Sequence, residues 1–150
     1  MNIKKNNIMG FTLIELLVVI AIVGILGAIA VSMYGKQHII KARLTEVSES
    51  MSVVASAVAA YYQENEVFPA NVPVGMIRNS LGVALPDWTT TARFSDMNVQ
   101  AGVITVTVAR IATEVNGRTL ILTPTATADG AITWNWDPAS TIQSNYIPKR

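Results

Sequence analysis

Residues 10 to 31 read GFTLIELLVVIAIVGILGAIAV, and the fold turns on what that run is for. From Leu16 to Val31 there are sixteen residues without a charge, and Phe11 to Val31 gives twenty-one interrupted only by Thr12 and Glu15. That is about the length that crosses a hydrocarbon core of roughly 30 Å. A membrane anchor is one consequence. A secretory signal peptide is another: Lys4 and Lys5 form a basic head, and Ala28-Ile29-Ala30 is an A-x-A cleavage pattern that would leave a soluble binding protein starting at Val31. Flanking charge leaves the orientation open, because Lys4 and Lys5 on one side face Lys36, Lys41 and Arg43 on the other.

Glu15 fits neither consequence. A charge near the centre of a lone membrane helix costs on the order of 3 kcal/mol, and near its end it still needs a partner among apolar neighbours. Leu16 to Val31 offers no cation. A free α-amine made by cutting just before Phe11 is a candidate.

The composition limits the remaining possibilities. The 150 residues are one domain's worth, and much of the 51% hydrophobic content sits in the first 34. A net charge of +1 gives no reason to expect nucleic acid, and Arg78, Arg93, Arg110 and Arg118 are scattered and expected to be solvated. With no cysteine and one histidine, His38, the sequence excludes disulfides and suggests neither a metal site nor a cofactor.

Beyond the apolar run the helix is expected to continue. Ile40, Leu44, Val47, Met51, Val54, Val58 and Tyr61 recur at alternating spacings of four and three, one stripe of an amphipathic helix, with Lys41, Glu46, Glu49 and Ser52 off it. Continuous from Phe11 to about Glu64, it would be roughly 80 Å long. Asn65 and Pro69 end it. Val67 to Arg93, with Pro69, Pro73 and Pro86, reads as an irregular connection with room for a helical turn near Met76 to Leu81. Strands are expected at Met97 to Val99, Val103 to Ala109, Arg118 to Thr123 and Ala131 to Trp136, with tight turns at Asn116-Gly117 and Asp129-Gly130. The fold class is therefore α+β: a long helix packed on a four-stranded antiparallel meander whose inner face carries Val106, Val108, Ile132, Trp134 and Trp136.

The stretch Gly10 to Ala30 resembles the prepilin signature of type IV pilins: a short basic leader ending in glycine, then phenylalanine, then glutamate five residues into the mature chain. The segments GVITVTV, GRTLILTPT, AITWNW and TIQSNYIPKR extend the likeness to type IVa major pilins over essentially the whole chain. The resemblance implies cleavage between Gly10 and Phe11 by a prepilin peptidase, N-methylation of Phe11, and pairing of Glu15 with the Phe11 amine of the next subunit. It implies a division into a leader (1–10), a transmembrane and filament-core half of the helix (11–34), an amphipathic half (35–64), a connecting loop (65–94), a sheet (95–136) and a C-terminal loop (137–150).

Two departures stand out. The cysteines that usually pin the C-terminal loop in that family are replaced by Trp136 or Asp137 and by Lys149, so either packing by Trp134, Trp136, Tyr146, Ile147 and Pro148 holds the loop or it is looser. Where the family helix commonly has proline there is Ser32, so unwinding would rest on Gly24 and Gly27.

The function implied is that of the major structural subunit of a type IV pilus, a fimbrial protein and not an enzyme. The subunit is expected to be held in the inner membrane before assembly and then to form a homopolymer at the cell surface, a filament used for adhesion, twitching motility or DNA uptake. Its partners are the prepilin peptidase and the pilus assembly machinery. A major pseudopilin of a type II secretion system, a minor pilin and the secreted binding protein are the alternatives.

Overall fold

The computed structural model describes residues 11–127 and 130–149. The apolar run and the amphipathic stripe lie on one helix, α1, Leu13–Asn65. Five strands follow: β1 (Asn71–Pro73), β2 (Phe94–Gln100), β3 (Val103–Val108), β4 (Thr119–Ala126) and β5 (Ile132–Trp136). They form one antiparallel sheet in sequence order. Between β1 and β2 lie a 3₁₀ turn, Val74–Met76, and a short helix α2, Ile77–Leu81, closed by Gly82 at φ +70.

The meander thus has five strands, not four. The extra strand lies in the stretch expected to be irregular: Asn71, Val72 and Pro73 pair with Gln100, Val99 and Asn98. Its signal was hidden because a three-residue strand is too short for period-two patterning and proline argues against a strand. Proline is tolerated here because β1 is an edge strand.

Contacts divide the chain into two compact units, one ending at Gln37 and one starting at His38, with α1 contributing to both. In the second unit, Ile40, Leu44, Val47, Met51, Val54 and Val58 of α1 are buried, as the stripe predicts, while Tyr61 is half-buried. Met97, Val99, Ile104, Val106, Val108, Leu120 and Leu122 of the sheet complete the core with Phe94 and Ile77. Each fully buried aliphatic side chain contributes about 1.5–3 kcal/mol. Trp134 and Trp136 pack against this core from the β5 edge, partly buried.

The turns differ from expectation in an instructive way. The two-residue hairpin is at Ala101-Gly102, between β2 and β3, where both residues take the positive φ such a turn requires (+49 and +83). Asn116-Gly117 instead ends a longer loop: only Gly117 has positive φ, and Asn116 Oδ1 accepts hydrogen bonds from the Ile111 and Ala112 amides at 2.9 and 3.3 Å. Of the other expected turn, Asp129 lies outside the described residues, while Gly130 has φ +82.

Candidate assembly helix

Every large apolar side chain from Phe11 to Val31 is at least half exposed, from 50% at Val18 to 87% at Phe11. They point to all sides of the helix, so no stripe faces a core of this unit. A surface of this kind exceeds what a soluble monomer presents to water and requires lipid or other polypeptide around it. By length and composition α1 suffices to cross a membrane, its most apolar 18-residue window having a mean hydropathy of 2.9.

Glu15 caps the start of this helix. Its Oε2 accepts hydrogen bonds from the backbone N–H and the hydroxyl of Thr12, both at 2.8 Å, and its own N–H donates to Thr12 Oγ1 at 3.4 Å. This reciprocal arrangement is a capping box, in which residues N-cap and N3 satisfy donors that the first helical turn leaves unpaired. Sequence reasoning sought a cation for Glu15 and passed over Thr12, although T-x-x-E ahead of an apolar run is the signature of this cap. Hydroxyl and amide donors fix the carboxylate in place without neutralising it.

Of the other singled-out positions, Phe11 is exposed just ahead of α1, and Gly10 lies outside the described residues. Gly24 and Gly27 are helical with open space where a side chain would be, and Ser32 is helical too, so 24–32 is unbroken helix. Among the described residues no group of three or more histidine, aspartate or glutamate side chains could hold a metal ion.

Comparison with known proteins decides what such a helix belongs to. The profile of the family described as pilin (bacterial filament) matches residues 40–150, and that of the prokaryotic N-terminal methylation motif matches residues 7–31. The chain belongs to the pilin family.

This pilin is 34% identical over 142 residues to the fimbrial protein EcpC of Eikenella corrodens, covering 93% of this chain and 87% of that one. It is 33% identical over 127 residues to the type IV major pilin protein PilE of Neisseria gonorrhoeae, covering 83% and 71%. To the type IV major alpha-pilin of Moraxella bovis the identity is 32% over 148 residues, covering 91% and 88%.

Of the four arginines expected to be solvated, Arg78 and Arg118 are exposed, whereas Arg93 and Arg110 are half-buried and tie the pilin's folded unit together. Arg110, at φ +58, donates to the carbonyls of Trp88, Ala92 and Phe94, and so closes the long connection onto β2. Arg93 pairs with Glu46 of α1 at 3.2 Å and reaches the Arg110 carbonyl, while Arg43 donates to Ile111 O. Arg118 bonds the carbonyls of Glu114 and Thr141. Five N–H donors in a fixed fork suit clusters of carbonyls that one ammonium could not span.

Proposed function

We propose that this pilin is the major structural subunit of a type IV pilus. The observation that carries the proposal is the helix from Phe11 to Val31, apolar on every side and headed by a capped carboxylate. Before assembly the segment is at home in the inner membrane; in the filament, copies of itself replace the lipid.

Cleavage between Gly10 and Phe11 by a prepilin peptidase frees an amine four residues ahead of Glu15, and N-methylation of Phe11 keeps that amine cationic. The Thr12 cap holds the Glu15 carboxylate at the helix start, and the Phe11 ammonium of the next subunit meets it there. In apolar surroundings two such charges are strongly favoured together over apart, so the pair sets the axial register of one subunit on the next. The chain's part is structural: it supplies surfaces and no catalytic group. Processing belongs to the peptidase, and extension to the pilus machinery at the inner membrane.

The experiment is the intact mass and N-terminal sequence of filaments sheared from cells. A chain beginning at N-methylated Phe11 is expected. A chain beginning at Val31 would return this pilin to the class of exported soluble domains.

A further inference from the structure

A groove of about 490 Å³ opens in the folded unit between Lys41 and Thr45, in the first turns of its share of α1, and the C-terminal segment from Ser144 to Lys149. Tyr146, Ile147 and Pro148 form its half-buried wall. That wall is held in place: the Pro148 carbonyl accepts from Trp136 Nε1 at 2.8 Å, and the Tyr146 N–H donates to the Gln143 carbonyl at 2.9 Å. Lys41 and Lys149 stand exposed at the groove, and neither ammonium has an ion-pair or hydrogen-bond partner among the described residues. The Ser144 hydroxyl, the Asn145 amide and the Tyr146 hydroxyl are likewise without partners among the described residues. No carboxylate is among the described residues that line the groove.

Charges of one sign and neutral donors thus converge on one space beside an apolar wall. Ammonium groups with no carboxylate beside them favour the oxygens of a phosphate, and neutral donors complete the shell around it. The apolar wall and the volume admit more than an inorganic ion. The groove is also covalently tied to the apolar run, because Lys41 follows Val31 by ten positions. Even fully extended, such a tether spans no more than about 35 Å. Beside a membrane the groove therefore meets lipid headgroups at an effective concentration that a soluble phosphate does not reach.

We infer that this groove holds the phosphodiester headgroup of an anionic phospholipid while the subunit resides in the membrane. Lys41 and Lys149 take the phosphate oxygens, Ser144 and Asn145 bond the remaining oxygens of the headgroup, and Ile147 and Pro148 lie against its carbon chain. The inference rests on the reading of residues 11–31 as the membrane segment before assembly and adds to it a lipid partner for the folded unit. Entry into the filament takes the subunit out of the bilayer and so empties the groove.

The full chain in micelles of a zwitterionic phosphocholine detergent, titrated with a short-chain phosphatidylglycerol and followed by amide NMR, tests this. Saturable shifts are expected at Thr45 and across 144–149, while Arg78, an exposed cation that does not line the groove, stays in place. Lys41→Gln and Lys149→Gln, both at exposed positions, should each weaken binding about fivefold, the worth of one basic residue at an anionic surface. Inorganic phosphate and glycerol phosphate at the same concentration should leave the groove unshifted. An equal response to either would assign the groove to a soluble phosphate and overturn the lipid partner. Absent shifts, unchanged affinity in both variants, or shifts at Arg78 as large as those at 144–149 would overturn the site itself. Each of these outcomes leaves the pilus reading intact, because the mass of sheared filaments tests that reading separately.

Discussion

The indole Nε1 of Trp136 donates a hydrogen bond to the carbonyl oxygen of Pro148 at 2.8 Å, joining the last strand to the C-terminal segment twelve positions later. These flank the places where the resemblance to type IVa pilins leads one to expect two cysteines, and here a neutral hydrogen bond spans them. It does not act alone. Thr141 exchanges backbone and hydroxyl bonds with Thr119, Ser140 Oγ accepts from the Ile121 amide, and Ile142 is buried at 4% exposure.

Trp136→Phe keeps an aromatic ring but removes the donor together with the five-membered part of the indole, so its cost includes some lost packing. Loss of one such bond is expected to cost about 0.5–1.5 kcal/mol. Hydrogen exchange should show faster opening of residues 144–149 while the amides of β3 and β4 remain protected. Equal loosening throughout the sheet would mean that the bond contributes to the core and not to the clasp.

Gly102 is fixed by two constraints at once. Its φ of +83 disfavours any side chain, and a Cβ would stand 2.6 Å from Phe68, whose ring stacks on Tyr62 at a centroid distance of 4.4 Å. Gly102→Ala is therefore expected to destabilise the folded unit by about 2–4 kcal/mol, combining left-handed strain with overpacking. Urea unfolding of filament-free protein, with the midpoint falling and the slope unchanged, checks it.

Arg110→Lys tests the fork. Nε reaches the Ala92 carbonyl and Nη2 those of Trp88 and Phe94, and a lysine ammonium, although it carries three N–H groups, is one nitrogen that cannot stand at both places, so at least one half-buried acceptor loses its donor. A loss of about 1–3 kcal/mol is expected, with proteolytic nicking appearing first in 83–93. Wild-type resistance to protease in that stretch would assign the arginine to the surface, as its sequence context suggested.

Asp87 accepts hydrogen bonds from the Thr89 hydroxyl and amide and the Thr90 hydroxyl, and these hold its carboxyl down to about 2, below the ordinary value of 3.8. With the folded value depressed, the unfolded chain binds the proton first as pH falls. The turn's contribution is thus complete above about pH 4 and is lost between about 4 and 2. In acid titrations followed by tryptophan fluorescence, Asp87→Asn should remove this part of the pH dependence. A variant and parent with superimposable acid transitions would exclude the turn as its source.

The helix, its two characters and its buried stripe are legible in the chain alone, because a period of 3.6 repeated over many turns needs no knowledge of what lies opposite. The alternation in VITVTV and ITWNW likewise set strands and inner face, and the prepilin-like head of the chain pointed to the family. The rest depends on what packs against what. β1 exists because the edge of β2 offers partners to a three-residue segment with no pattern of its own. The tight hairpin went to Ala101-Gly102 because Phe68 and the Pro69 and Ala70 carbonyls close over that corner, whereas Asn116 is used to brace a loop. Arg110 looks solvated in sequence because its acceptors are backbone carbonyls. Carbonyls belong to every residue and carry no side-chain signal, so only folding reveals which of them converge.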